Sequence, residues 1–348
     1  MNGPTPTADL DPDVRGRMSA LNVSPLWEVM QGMVPPEPRS QALPVAWRWR
    51  EMREQLLEAG HIITAAQAER RVLMLRNPGL PGRPQVTDTI YAGLQLILPG
   101  ETARAHRHSQ SALRFVLEGS GGYTAVDGLR APMRRGDFIV TPAWTWHDHG
   151  NDGDGPVMWL DGLDVPLVGF LQAGFREEHE AERFPTRGDA EQVFHRYGNA
   201  LLPLERQAAG PTSPVFSYPY ERTREALHGL AHGGQIDDCL GAVVRYANPL
   251  NGDWAIPTIG AWMQLLPRGW TARHLRTTDS VVLVVVDGAP TIEIDGEAPT
   301  TLAPNDVFVV PGWRRWRAGA GTSGDAVLFA YSDRPVHQKL GLYREQRG

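Results

Sequence analysis

The sequence predicts an all-β protein with two barrels of short strands, preceded by a partly helical N-terminal extension. The 348 residues include 37 Gly and 29 Pro, a composition that favours many turns between short strands. Strand-like segments separated by such turns fill two stretches of the chain, and these two stretches carry similar sequence patterns. A chain of this length can bury two modest cores, so one barrel in each stretch is expected.

The N-terminal extension is predicted to span residues 1–85. Its first twenty or so residues are polar and rich in Pro, and they are expected to be poorly ordered. From Trp27 to about Ala68 the pattern indicates helices with extended breaks, and residues 47–59 contain neither Gly nor Pro. Residues 71–75 read as a strand that ends at Asn77-Pro78-Gly79.

The rest of the chain is divided into a first barrel, a linker and a second barrel. Strand-like segments from Ile90 to Leu167 predict the first barrel over residues 86–175. Residues 176–250 are charged and mixed, and they are predicted to form a linker with one helix near residues 222–230. Strands return from Ala261 to about Tyr331, so the second barrel is predicted over residues 251–348.

Three histidines of the first barrel can share one metal ion. His106 and His108 are one residue apart on a predicted strand, so their side chains project from the same face. His147 would complete a facial set of three nitrogens, which leaves other positions of an octahedral ion open for a substrate and dioxygen. Iron, zinc, copper and nickel all accept imidazole, so the spacing alone does not choose the metal. His147-Asp148-His149 is an alternative chelating pair, although its distance from Pro142 favours His147 as the ligand.

An internal repeat places no metal in the second barrel. Leu98-Pro99-Gly100 with His106-Arg107-His108 corresponds to Leu266-Pro267-Arg268-Gly269 with His274-Leu275-Arg276. On this alignment His108 matches Arg276 and His147 matches Trp316, so two of the three ligands are lost and only His274 remains.

The spacing of these residues resembles the paired motifs of the cupin superfamily. Gly100, five residues, His106-x-His108 and then Gly119 form the first motif, and Gly136, five residues, Pro142, His147 and Asn151 form the second. The glutamate ligand of the usual pattern is replaced by Ala112. A three-histidine cupin resembles the gentisate 1,2-dioxygenase family, which includes salicylate, 5-substituted salicylate and 1-hydroxy-2-naphthoate dioxygenases. The likeness covers most of the chain, through these segments: 70–73, 77–80, 93–95, 106–115, 159–164 and 340–345.

This resemblance implies a bicupin of two double-stranded β-helix (jelly-roll) barrels with one Fe(II). It also implies ring cleavage of a 2-hydroxybenzoate, with O2 inserted between the carboxyl-bearing and hydroxyl-bearing carbons. Gentisate, which would give maleylpyruvate, is the favoured substrate. The alternatives are the same chemistry on salicylate, 5-nitrosalicylate, another 5-substituted salicylate or 1-hydroxy-2-naphthoate. A zinc-dependent isomerase, against which Ala112 argues, and a non-catalytic bicupin are further alternatives.

Two polar residues interrupt apolar strands of the first barrel. Arg114 lies between Leu113 and Phe115, where it is either solvated or placed to grip a carboxylate. Gln95 lies between two leucines, and such a buried amide usually has a partner. The resemblance implies that both residues bind the substrate.

Further site residues are predicted around the metal. His149 would lie on the same strand face as His147, beside the open metal positions, where it could bind the substrate and accept its proton. Asp161 is the other candidate for proton handling, or it could orient a neighbouring side chain. Arg70, Tyr91 and Gly93 are expected to contribute to substrate binding.

Composition excludes several other kinds of protein. A net charge of −6 and a pI near 6.0 give no basic surface for nucleic acid or an anionic membrane. No apolar run reaches the roughly 18–20 residues that span a bilayer, and no signal peptide is apparent. With one cysteine, Cys239, we expect a cytoplasmic protein. Three of the 11 Trp lie between Trp27 and Trp49, and this segment is expected to pack on a neighbouring barrel or subunit of a homo-oligomer, a tetramer by resemblance.

Overall fold

The computed structural model describes residues 10–199, 202–205 and 210–348. The chain divides into two compact units, Met1–Arg39 and Ser40–Gly348. The described part of the first unit contains α1 (Pro12–Ala20) and α2 (Leu26–Met33). Asp11 caps α1 by accepting the backbone N–H of Asp13 at 2.8 Å, and Pro12 suits the first turn. The expectation of poor order is therefore wrong for α1, and residues 1–9 lie outside the described residues.

The second unit is mostly β-sheet with short helices on its surface. Its helices are α3 (Trp49–Ile62), α4 (Ala65–Ala68), α5 (Val165–Phe170), α6 (Ala190–Tyr197), α7 (Tyr220–His232) and α8 (Arg334–Lys339). Its strands up to the end of the predicted linker are β1 (Val45–Trp47), β2 (Val72–Met74), β3 (Tyr91–Ile97), β4 (Thr102–His108), β5 (Ala112–Glu118), β6 (Gly122–Val126), β7 (Leu129–Pro132), β8 (Phe138–Thr141), β9 (His147–Asn151), β10 (Val157–Leu163), β11 (Arg176–Glu178), β12 (Gly188–Asp189), β13 (Ser217–Tyr218) and β14 (Ala242–Arg245). The remaining strands are β15 (Gly260–Leu266), β16 (Leu275–Thr277), β17 (Val281–Asp287), β18 (Pro290–Ile294), β19 (Thr300–Thr301), β20 (Val307–Val310), β21 (Trp316–Ala320), β22 (Ala326–Ser332) and β23 (Glu345–Arg347).

These strands form four sheets, two in each barrel, which confirms the predicted all-β bicupin. The first barrel contains the sheets β13-β8-β5-β10-β3-β2 and β11-β4-β9-β6-β7-β12. The second contains β1-β20-β17-β22-β15-β14 and β19-β18-β21-β16-β23. The rings of Phe115 and Phe329 stack with centroids 4.2 Å apart, within a core that both barrels share.

Several short edge strands lie outside the predicted barrel boundaries. The predicted linker supplies β11, β12 and β13 to the first barrel and β14 to the second. The predicted extension supplies β2 to the first barrel, and β1 pairs with β20 of the second. Each of these strands has only two to four residues, too few for a periodic pattern, and each covers a sheet edge that would otherwise expose unpaired backbone groups.

The helical reading of residues 27–68 holds for α2, α3 and α4, while β1 lies at one of its extended breaks. Through β1, part of the Trp27–Trp49 segment packs on the second barrel of its own chain. The linker helix is α7, which is longer than predicted, and α6 was not expected.

The strand pairing of the second barrel corrects the predicted repeat alignment. Leu275 of β16 pairs with Trp316 of β21, as His106 of β4 pairs with His147 of β9. The structural equivalent of His106 is therefore Leu275, one residue beyond the predicted match.

The shift does not come from an inserted residue. Ile97 pairs with Val157 as Leu266 pairs with Ala326, and the same number of residues separates Ile97 from Leu266 as separates His106 from Leu275. The Leu-Pro pairs at 98–99 and 266–267 are therefore not equivalent, and aligning them moves the match by one position. Because neighbouring strand residues face opposite sides of a sheet, the correct match removes His274 from the ligand position and puts Thr277 where His108 lies in the first barrel. The second barrel thus keeps none of the three ligands.

Within the described residues, no helix is both long enough and apolar enough to cross a membrane.

Candidate metal centre and substrate pocket

The three predicted ligands meet on one sheet of the first barrel. His106 and His108 lie two residues apart on β4, and His147 begins β9 directly opposite His106. Their ligand nitrogens all lie within 4.8 Å of one another, and the ring centroids of His106 and His147 are 4.1 Å apart. These side chains can therefore hold one metal ion, as the sequence predicts.

Backbone carbonyls orient two of the rings. His108 Nδ1–H donates to the carbonyl oxygen of Gln110 at 2.8 Å, and His147 Nδ1–H donates to that of Thr145 at 2.9 Å. In this arrangement Nε2 of each ring carries the free lone pair and is available to a metal.

The electrostatics of the site suit a metal cation. Burial lowers the pKa of His106 to about 2 and the pKa of His108 to about 4, and it lowers the pKa of His147 well below its ordinary value. The rings are therefore neutral, which is the form that ligates metals. Nε2 of His147 is buried, and among the described residues it has no hydrogen-bond partner. A metal ion would satisfy this nitrogen, so the residues present fit such an ion.

A cavity of about 450 Å³ opens beside the three histidines. Predicted site residues in its wall are Arg70, Tyr91, Gln95, His106, His108, Arg114, His147 and Asp161. The remaining wall residues are Val72, Gln110, Leu163, Val165, Gly174, Phe175 and Arg176.

Arg114 is fixed in the wall by its neighbours. It is 4% exposed, and its guanidinium donates to Thr141 Oγ1 and, at 3.0 Å, to Nε2 of His149. Its Nε lies 3.4 Å from Oδ1 of Asp161, which also accepts the indole N–H of Trp159 at 2.9 Å. Burial lowers the pKa of Arg114, while the charge of Asp161 opposes this shift. The guanidinium is thus held in one orientation at the edge of the cavity.

His149, which is predicted to lie beside the open metal positions, is not among the residues that line the cavity. It is fully buried behind Arg114, which donates to its Nε2. Nδ1 therefore carries the hydrogen and donates to Thr124 Oγ1 at 3.0 Å. His149 shares a strand face with His147, with ring centroids 5.9 Å apart, and it contacts the cavity wall through Arg114.

Arg70 gives the cavity a second cation, which is half-buried. Its Nη2 lies 2.8 Å from Nε2 of His106. Burial and the positive charge of Arg114 lower the pKa of Arg70 to about 10, and the charge of Asp161 partly offsets this. The guanidiniums of Arg114 and Arg70 against the one carboxylate of Asp161 favour an anionic ligand in the cavity.

Gly93 shapes the cavity through the absence of a side chain. It pairs with Asp161 across β3 and β10. A Cβ at Gly93 would lie 2.5 Å from Val72 Cγ1 and 2.7 Å from Tyr91 Oη. Those two side chains reach the cavity wall because Gly93 leaves them room, whereas Gly93 is itself absent from the set of wall residues.

The sequence analysis missed the side of the wall that follows α5. Arg176 of β11 pairs with His108, and Phe175 packs on Trp144 with ring centroids 4.2 Å apart. The available signal was the short extended run at 175–178, but its charged composition led to its assignment as linker.

The fold and the three-histidine centre define a bicupin with a metal-binding site, and a family model described as a cupin domain matches residues 93–164. The chain is 46% identical to gentisate 1,2 dioxygenase 1 of Aquipseudomonas alcaligenes, over 95% of this chain and 94% of the relative. It is 37% identical to 5-aminosalicylate 1,2-dioxygenase of a Comamonas species, over 94% and 88% of the two chains. The crystal structure of a salicylate 1,2-dioxygenase from Pseudoaminobacter salicylatoxidans as its gentisate adduct matches with a TM-score of 0.90 and 33% identity, over 99% and 96% of the two chains. The chain therefore belongs to the gentisate 1,2-dioxygenase family of ring-cleaving dioxygenases, as its motifs predict.

Proposed function

We propose that this chain cleaves the ring of gentisate at one Fe(II) held by His106, His108 and His147. The ring bond between the carboxyl-bearing and hydroxyl-bearing carbons is broken, each of these carbons gains one oxygen atom of O2, and the product is maleylpyruvate. The observation that carries this proposal is a cavity whose wall contains the guanidiniums of Arg114 and Arg70 together with three neutral imidazoles. Such a cavity can receive a carboxylate beside a metal that still has open positions.

Iron is proposed because the relatives are named as dioxygenases and because a set of three imidazoles leaves a metal several open positions. When bound, the ion supplies a Lewis acid that lowers the pKa of the substrate hydroxyl and a redox centre that activates O2.

The chain's own residues bind and orient the substrate. Arg114 and Arg70 donate charge-assisted hydrogen bonds to the carboxylate, and Gln95 adds a hydrogen bond from β3. Asp161 lies in the wall, and burial raises its pKa, so it is placed to take the proton of the substrate hydroxyl. His149 supports the reaction by holding Arg114, because its own Nε2 is already bonded to that guanidinium.

A substrate panel tests this proposal. Protein loaded anaerobically with Fe(II) is mixed with oxygenated gentisate, salicylate, 5-aminosalicylate, 5-nitrosalicylate or 1-hydroxy-2-naphthoate, while ultraviolet absorbance and O2 consumption are followed. We expect the highest kcat/KM with gentisate. A higher value for another compound would keep the reaction and replace the substrate. No O2 consumption with any of them would favour a non-catalytic bicupin.

We further propose that the protein is a cytoplasmic homotetramer. On α2 the apolar side chains of Leu26, Trp27, Met30 and Met33 are all exposed in the single chain, and such a surface favours contact with another subunit. Light scattering should give about four times the 38.4 kDa of one chain. A monomeric mass with full activity would contradict an obligate oligomer.

A further inference from the structure

Two buried carboxylates occupy equivalent places in the two barrels. Asp164 follows β10 and precedes α5, and Asp333 follows β22 and precedes α8. Oδ1 of Asp164 accepts the backbone N–H of Ser111 at 3.0 Å, and Oδ1 of Asp333 accepts that of Ser280 at 3.0 Å. Asp164 is 3% exposed and Asp333 is 4% exposed. Each carboxylate therefore ties the end of one strand to the beginning of another.

Each carboxylate also accepts a hydroxyl from the opposite barrel. Thr258, just before β15 of the second barrel, donates to Oδ2 of Asp164 at 2.6 Å. Thr89, just before β3 of the first barrel, donates to Oδ2 of Asp333 at 2.6 Å. The two threonines make the same cross-barrel contact in opposite directions.

Only the contact made by Thr258 leads to a metal ligand. Ser111 directly follows Gln110, whose carbonyl oxygen accepts the Nδ1–H of His108. Thr258, Asp164, Ser111 and Gln110 thus form one connected path to the ring of His108.

In the second barrel the equivalent path does not lead to a histidine, since Thr277 stands at the place of His108. The two carboxylates also differ in their other donors. Nε2–H of His337, four residues after Asp333, donates to Oδ2 of that carboxylate at 3.2 Å. The residue four positions after Asp164 is Val168, whose side chain has no donor. The orientation of the Asp164 carboxylate therefore depends more strongly on Thr258 than the orientation of the Asp333 carboxylate depends on Thr89.

We infer that Thr258 is a positioning residue of the metal centre. From the second barrel it holds the Asp164 carboxylate, which holds the Ser111 backbone and, with it, the Gln110 carbonyl that orients His108. Along the chain Asp164 lies between Leu163 and Val165, both of which line the substrate cavity. The second barrel thereby supports the chemistry of the first without supplying a ligand. This inference rests on the proposed function for the identity of the ligands, but it does not depend on the substrate.

A matched pair of variants tests this inference. Thr258→Val and Thr89→Val each remove one hydroxyl with little change of shape, and both break the same kind of cross-barrel hydrogen bond. The full-length apo proteins are titrated anaerobically with Co²⁺, whose d–d absorption reports both affinity and coordination geometry. We expect Thr258→Val to raise the Kd for Co²⁺ about 10-fold, at the lower end of the effect of outer-shell partners, and to alter the d–d spectrum. Thr89→Val should change the Kd by less than about twofold, and Thr258→Ser should restore the wild-type value.

The inference is overturned if the two valine variants shift the Kd equally, or if Thr258→Val leaves both Kd and spectrum unchanged. Should Thr258→Val not fold, Thr258→Cys and Thr89→Cys give the same comparison, because a thiol is a weaker donor of similar size. Failure of the proposed function would look different. Equal Co²⁺ affinities of the wild type and His108→Ala would refute the ligand set, and Co²⁺ binding by the wild type without Fe(II)-dependent turnover of any substrate would refute only the reaction.

Discussion

The two barrels of this chain share a backbone plan but differ in the residues that fill it. Where His106 faces His147 in the first barrel, Leu275 faces Trp316 in the second. Leu275 is 2% exposed and Trp316 is 1% exposed, so apolar packing replaces the metal site. The same ladder of strands can thus serve a reactive centre or a closed core, and only the side chains decide which.

The cavity shows the same contrast. Gly93 pairs with Asp161 in the first barrel, and Trp262 pairs with Ala330 at the matching place in the second. A glycine and a carboxylate leave a polar space, whereas a tryptophan and an alanine fill it. Open space and buried carboxylates cost stability, and at this place the second barrel has a tryptophan and an alanine instead.

Both barrels contain an aspartate that accepts a hydrogen bond from the first residue of a helix, an arrangement that stabilises the fold. Asp137 accepts the backbone N–H of Tyr220, the first residue of α7, at 2.9 Å. Asp306 accepts that of Trp49, the first residue of α3, at 2.8 Å. Each carboxylate satisfies a free donor at a helix N-terminus, although only Asp306 also pairs with an arginine, Arg48, at 2.8 Å.

The largest expected effect is a loss of metal binding, and it should follow a histidine substitution in the first barrel but not one in the second. Wild-type protein should bind one metal per chain, and His108→Ala should weaken binding by more than about 100-fold, beyond the loss seen for outer-shell partners. His274→Ala is the control and should bind metal normally, because the register of β16 removes His274 from the ligand position. Metal analysis after reconstitution checks both. Two tightly bound ions per chain, or metal retained by His108→Ala, would refute the assignment.

The next effect concerns Arg114. The matching residue opposite Ala330 in the second barrel is Leu283, so the fold itself does not require an arginine there. Arg114→Ala removes a charge-assisted contact worth about 1.5–3 kcal/mol, which predicts a loss of about 10- to 150-fold in kcat/KM. Metal content should stay near that of the wild type. Steady-state kinetics with the best substrate measures the loss, and unchanged kinetic constants would show that Arg114 does not bind the substrate.

A smaller effect is expected when the cavity is partly filled, as it is in the second barrel. Gly93→Ala places a methyl group against Val72 and Tyr91, whose side chains must move into the cavity. Overpacking of this size costs about 1 kcal/mol, so KM should rise roughly fivefold while metal content is retained. Equal KM values for the variant and the wild type would mean that neither side chain approaches the bound ring.

The smallest effect is a pH dependence of stability at the Asp137 cap. Burial raises the pKa of Asp137 to about 6, against the N–H donors of Tyr220 and Arg134, with Glu221 adding a small raising contribution. The folded protein therefore holds this proton more tightly than the unfolded chain. The contribution of Asp137 to stability is full below about pH 4 and falls by up to about 3 kcal/mol as the pH rises through about 6.

Chemical denaturation of wild type and Asp137→Asn at pH 4, 5, 6 and 7 isolates this contribution. The difference in unfolding free energy between the two proteins should shift in favour of the variant as the pH rises. A difference that stays constant over this range would show that Asp137 has an ordinary pKa in the folded protein.

The sequence by itself determined the fold class, the family and the three histidines that can hold a metal ion. The spacing of residues along the chain predicts these features. The two-residue period of a strand puts His106 and His108 on one face, and turn residues at fixed distances place His147 opposite them. Arg114 and Gln95 were found in the same way, as polar residues within short apolar strands.

Tertiary structure alone decided which barrel each short edge strand joins, the register of the second repeat and the place of His149 behind Arg114. It also decided the contact between Thr258 and Asp164, two residues that are far apart in the chain. A two-residue strand has no periodicity, and an alignment of the two repeats that is wrong by one residue reverses the predicted facing of a strand without changing its composition. Such features depend on contacts between distant segments, and those contacts exist only once the sheets have paired.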